Sequence, residues 1–288
     1  MVDGPVSLAL CASFFFGLGL VFAQFGLRSV SPSHGVLLTG PSMTLLLWAL
    51  APIFLDWRAA TLVGVGSFVA AGVLTPGTVI LLTHMANRRM GPTIAGALGN
   101  LAPLFAVPAA AILLGEIPSS LQGLEILIVV AGVVLLSLTR PGSGKPWPLW
   151  AAALPIGAAA IRGLAQSIIK VGLIQWPSPF SAVLIGYTVS SLVVTIAIVL
   201  RGDWPSVLDR EGVLWFGGVA LANGAAMVTL YQALDRGSVI LVAPLVATYP
   251  LVTLLLTTII FRSARLSHAL VTGVLLTVLG VVMLITGR

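Results

Sequence analysis

The chain has 288 residues, of which 58% are hydrophobic and only 8% charged. Soluble domains carry about 25% charged residues, so composition excludes a soluble fold and implies an all-α integral membrane protein. Fourteen basic and eight acidic residues are scattered without a nucleic-acid-type basic block, and one cysteine, Cys11, rules out an intramolecular disulfide framework.

A bilayer core takes about 20 apolar residues per helix. Apolar runs between breakers predict ten spans joined by short connections, none long enough for a soluble domain. The first, 5–27, lacks a basic leader region and a clear cleavage site, so it reads as a retained helix. It places Phe16, Leu20 and Gln24 on one face. The second is 34–55. The third, 61–86, is interrupted by Pro76-Gly77 and carries His84 near its end. The fourth, 91–114, contains Asn100, Pro103 and Pro108 and closes with Gly115-Glu116. The fifth, 119–139, holds Glu125 and Gly132.

The stretch "RPGSGKPWP" (140–148) divides the chain into a first five-helix unit (1–141), a linker (142–147) and a second unit (148–288). The sixth span, 148–174, has Pro155 early, then Arg162, Gln166 and Lys170 at intervals of four. A helix puts those three on one face. A basic residue at the helix centre costs roughly 2.5–3.5 kcal/mol on insertion scales. The stripe is therefore expected to face the bundle interior or a wet cavity. Two structural alternatives stay open: Arg162 pairing with Glu125, and Lys170 snorkelling to the nearby helix end. The remaining spans are 180–200, 212–234 with Asn223 and Tyr231, 238–261 with Pro244, Tyr249 and Pro250, and 266–286 with Gly280. Trp57, Trp147, Trp150, Trp176 and Trp204 fall at or near span ends, where interfacial aromatics belong.

The halves align. Gly17, Leu18, Gly26 and Leu27 meet Gly163, Leu164, Gly172 and Leu173 at an offset of 146. Pro103 meets Pro250, His84 meets Tyr231 and Pro76 meets Asn223 at an offset of 147. Five spans per unit is odd, so the second unit enters the membrane from the opposite side. Such inverted repeats are typical of secondary transporters, with the substrate site at midplane between the repeats. The stripe from 162 to 170 then faces the apolar, aromatic wall of Phe16 and Leu20. An anionic end joined to an apolar body, as in an amino acid, suits that pairing. Pro76, Pro103, Pro155 and Pro250 bend helices and are candidate hinges or fixed kinks. Asn100, Asn223, Tyr231, Tyr249 and His84 are candidate cavity residues, with interhelical bonding or an interfacial belt as the alternatives.

No phosphate-binding Gly-rich motif, His cluster or paired carboxylates appear within a span. No catalytic, metal or cofactor site is expected, and a lipid-modifying enzyme or a channel fits poorly.

The run "GPTIAGALGNLAPLFAVPAAAILLGEIPSSLQGLEILIVVAGVVLL" (91–136) resembles the drug/metabolite transporter superfamily, in its EamA-like members with two five-helix repeats. The stretch from 233 to 285 is similar to the second copy, except that Ser263 stands where an acid equivalent to Glu116 is expected. The cationic stripe and the aromatic residues look most like YddG-type amino acid exporters. The resemblance implies ten helices around a central cavity, export of amino acids or small metabolites by alternating access, and a bacterial-type inner-membrane location. On this reading Arg162 or Lys170 binds the substrate carboxylate, and Gln24, His84, Asn100, Gln166, Asn223, Tyr231 and Tyr249 line the cavity. The implied partners are a small molecule and the bilayer, with no obligate protein. Organic anions, phosphorylated metabolites and drugs are alternative substrates. The resemblance also implies cytoplasmic termini. Nine of the twelve basic residues outside the stripe fall on the side opposite the termini, which by the positive-inside rule argues the reverse. The resemblance is preferred here.

Overall fold

A computed structural model of the chain describes residues 3–138, 147–201, 209–261 and 268–287. The helices of the first half are α1 (Asp3–Gly26), α2 (Pro32–Phe54), α3 (Leu62–Val73), α4 (Val79–Gly99), α5 (Ala102–Leu114) and α6 (Ser120–Leu138). Those of the second are α7 (Ala153–Gln175), α8 (Pro179–Arg201), α9 (Arg210–Arg236), α10 (Val239–Val246), α11 (Tyr249–Phe261) and α12 (His268–Thr286). Most of the predicted linker and Ser263 lie outside the described residues.

Among the described residues, nine stretches are long and apolar enough to cross a membrane. The remaining crossing, third in order, is built from pieces rather than the single span predicted over 61–86. After α3 comes a five-residue π turn, Leu74–Thr78, and then α4. Within the turn Thr75 is extended (φ −133°, ψ 145°), the conformation that a following proline, here Pro76, imposes. Its equivalent in the second half, α9, runs unbroken through Asn223. Gly91, at φ 80°, then bends α4 from the third crossing into the fourth, which a side chain would resist.

The fourth and ninth spans are also divided. The fourth breaks at Asn100–Leu101 between α4 and α5, and the ninth at Ala247–Thr248 between α10 and α11. The breaks are 147 residues apart, and so are the starts and the ends of α5 and α11.

Packing repeats too, at spacings within one residue of that. A Cβ added to Gly163 on α7 would fall 2.6 Å from the Ala102 carbonyl oxygen of α5. One added to Gly17 on α1 would fall 3.1 Å from the Tyr249 carbonyl oxygen of α11. One turn or more further on, Gly172 faces Phe68 of α3 while Gly26 faces Phe216 of α9. The helix starts match as well: Gly64 N–H donates to the Thr61 hydroxyl (3.0 Å), and Gly212 N–H to the Asp209 carboxylate (3.2 Å). The glycine pairs legible in the sequence are thus the points where each unit's first helix lies against the other helices of the bundle. The fold is two inverted five-crossing units around a central cavity.

Trp176 caps the end of α7, at the span end where it is expected, but its side chain turns into the protein. It is 1% exposed, and its ring lies 5.7 Å from Phe68 and 5.8 Å from Trp57. This aromatic cluster sits on the side of the membrane where the chain begins and ends.

Candidate functional site

The site begins with the two breaks. Asn100 N–H donates to Gly96 O and Ala247 N–H to Ala243 O, both at 3.1 Å. Leu101 N–H donates to Leu98 O (3.2 Å) and Thr248 N–H to Leu245 O (3.3 Å). Leu104 N–H donates to Leu101 O (3.0 Å) and Leu251 N–H to Thr248 O (2.9 Å). The backbone therefore breaks in one way at two places, though the side chains there differ. Pro103 and Pro250 are the second residues of α5 and α11, where the missing N–H has no intrahelical partner to lose. Each break sets a carbonyl-bearing helix end beside an amide-bearing helix start, midway along the crossing.

Between the breaks lies a cavity of about 380 Å³. Gly99, Asn100 and Pro103 line it from one break, and Val246, Ala247 and Tyr249 from the other. Arg162 and Gln166 face it from α7, Phe16 and Leu20 from α1, and Asn223 and Tyr231 from α9. Among the described residues, its lining contains no Asp, Glu or Lys. Among the described residues, no hydrogen bond or ion pair holds the Arg162 guanidinium. The alternative partner Glu125 is buried near the start of α6, beside Gly287. The Oε1 of Gln166 is buried and likewise has no hydrogen-bond partner.

Lys170, third in the stripe, is absent from this lining. Its ammonium donates to the carbonyls of Leu234 (2.5 Å) and Asp235 (3.2 Å) at the C-terminal end of α9. Cations favour that end of a helix, where carbonyls lack amide partners. Glu116 performs the complementary task. Its Oε2 accepts from the N–H groups of Val239 (2.8 Å) and Ile240 (3.3 Å) at the start of α10. The turn between α9 and α10 is therefore held from both sides by opposite charges. The stripe divides: Arg162 and Gln166 face the cavity, and Lys170 fastens helices.

The predicted polar residues Asn100 and Tyr249 bind each other. The Tyr249 hydroxyl donates to Asn100 Oδ1 at 2.6 Å, and Asn100 Nδ2 donates to Ser137 Oγ of α6 at 2.9 Å. Phe16 stands against Tyr249 with ring centroids 6.3 Å apart. A second cavity, of about 150 Å³, adjoins the first and shares Phe16, Thr75, Asn223, Met227 and Tyr231 with it. Thr39, Tyr187, Ser190 and Ser191 line its remaining wall together with apolar residues such as Val36, Val183 and Val194.

Other expected residues lie elsewhere. Gln24 is exposed and lines neither cavity. His84 is on α4, but its side chain is outside the described residues. Pro155 is the third residue of α7, where its missing N–H costs no intrahelical bond. Met227 and Leu230 line the cavity without having been singled out. Met227 continues the interval of four through Asn223 and Tyr231, the same signal that marks the α7 stripe.

The two copies of the broken crossing are not packed alike. Every residue of α10 is buried. In the equivalent first-half stretch, 92–99, Gly96 and Gly99 have nothing within 4 Å of an added Cβ. The bundle is shut around α10, on the side of the termini, and looser around α4.

Inverted repeats, ten crossings and a midplane cavity between broken helices define a membrane transporter of small molecules. The chain belongs to the EamA-like transporter family, whose model matches residues 4–138 and again 149–286. No curated protein matches it. A solved crystal structure is similar along 98% of this chain and 95% of its own, with 22% identity and a TM-score of 0.75. At that identity the likeness speaks for the fold alone.

Proposed function

We propose that this transporter exports amino acids, preferring apolar or aromatic ones, across a bacterial-type inner membrane by alternating access, with Arg162 holding the substrate carboxylate. The observation that carries the reading is the guanidinium of Arg162, unpaired among the described residues, in a cavity otherwise rich in apolar wall. Guanidinium binds a carboxylate through two parallel N–H bonds. Phe16, Leu20, Met227 and Leu230 offer contact to an apolar side chain, and Asn100, Gln166, Asn223, Tyr231 and Tyr249 offer polar contact. The tight packing of α10 against the looser 92–99 stretch suits one of two alternating states. Pro103 and Pro250, at matching breaks, are the hinge candidates. Cytoplasmic termini complete the proposal; a reporter fused at the C-terminus and active only in the periplasm would refute that part.

The test is uptake of labelled phenylalanine and leucine into proteoliposomes. Arg162→Gln is expected to abolish it. Unchanged transport in that variant sinks the site assignment. An organic-anion or phosphorylated substrate is the second reading, favoured by the same free guanidinium. A cationic drug finds no carboxylate among the described residues of the cavity lining.

A further inference from the structure

An anion site alone leaves Gln166 unexplained. Its Oε1 is buried without a partner, and a buried acceptor left unsatisfied is costly. It lies one helical turn beyond Arg162 on the same face of α7, and both side chains line the same cavity. Asn100, by contrast, has its oxygen occupied by the Tyr249 hydroxyl. Among the described residues, the cavity lining has no carboxylate to meet a cation. It does have the C-terminal ends of two half-helices, reaching it at Gly99 and Val246. Helix C-termini carry partial negative charge and spare carbonyls.

We infer that Gln166 Oε1, turned from its buried position into the cavity by rotation of the amide and backed by the helix ends at Gly99 and Val246, is the acceptor for the substrate's ammonium group. The inference rests on the proposed amino acid reading and makes it specific. Arg162 takes the carboxylate, Gln166 takes the amine on the adjacent carbon, and the substrate head lies along α7. Neutral acceptors suit a single ammonium that enters together with its own carboxylate. A free dication finds no carboxylate there among the described residues.

The test is binding to the purified full-length protein by calorimetry, with two probes of matched body: phenylalanine and 3-phenylpropanoate, which lacks the amine. Wild-type protein is expected to bind phenylalanine about tenfold more tightly, the scale of one charged hydrogen bond. In Gln166→Leu that ratio falls towards one, while 3-phenylpropanoate keeps its wild-type affinity and so reports an intact cavity. Arg162→Gln loses both probes. Equal binding of the two probes by wild-type protein overturns the ammonium site and leaves Arg162 as an anion site. An equal loss of both probes in Gln166→Leu overturns it too. Wild-type protein that binds neither probe refutes the amino acid reading itself, and this inference with it. The wild-type comparison needs no variant to fold, and Gln166→Asn, with a shorter amide, is expected to give an intermediate ratio.

Discussion

The Thr44 hydroxyl meets the Ser191 hydroxyl at 2.8 Å, and the two residues are 147 positions apart. That separation also relates α5 to α11, so one position of the repeat touches its own copy. The approximate two-fold axis therefore passes between α2 and α8 at this bond. Thr44 also donates within reach of the Tyr187 carbonyl (3.1 Å), and Tyr187 is the copy of Gly40.

A cysteine pair at this point is expected to crosslink. In a Cys11→Ala background, Thr44→Cys with Ser191→Cys forms an intramolecular disulfide under mild oxidation, seen as a mobility shift reversed by reductant. Each single variant does not. Failure of the double variant to close would mean that α2 and α8 do not meet on the axis.

Lys170 and Glu116 are expected to affect stability rather than recognition. Lys170→Met removes the donor from the end of α9 and lowers unfolding stability by about 1–2 kcal/mol. Its phenylalanine affinity stays within about twofold of wild type. Glu116→Gln keeps an acceptor for α10 and costs less than Glu116→Ala. Thermal unfolding in detergent, alongside the calorimetry described above, separates this from loss of the binding site.

Gly163→Ala is expected to be damaging. The new methyl group meets backbone of α5 at Ala102 and Ala106, which cannot rotate away. Overpacking of this kind costs about 1–3 kcal/mol. Gly123→Ala, with open space around it, serves as the tolerated control. Melting temperatures of the two variants give the comparison.

Tyr249→Phe removes the 2.6 Å bond to Asn100 and keeps the ring against Phe16. It is expected to destabilise the protein by about 1 kcal/mol. In Asn100→Ala, the same tyrosine substitution has a smaller effect, because the partner is already gone. A double-mutant cycle in thermal unfolding measures the coupling.

Spans, repeat offset and paired prolines were legible because each is written in local sequence. Apolar length marks a crossing, and Gly17 with Gly163 marks a close contact that a side chain would block. The α7 stripe was legible as a face but not as a division of labour. Whether Lys170 looks into a cavity or onto the carbonyls of Leu234 and Asp235 depends on where α9 ends in space, which neighbouring residues on α7 do not encode. Gln24 shared a face with Phe16 and Leu20, yet it lies beyond the cavity, since periodicity gives direction and not depth. The second cavity escaped notice because α2 and α8 contribute separate residues to it that meet only across the axis.

The repeat position matching Arg162 is Phe16, and both face the same cavity. A truly two-fold cavity would give every bound ligand a twin pose of equal energy, turned end for end. Guanidinium on one wall and a benzene ring on the other abolish that degeneracy. A molecule with one charged end has a single way to lie, and under the proposed alternating access it keeps that heading whichever face of the bilayer the cavity opens to.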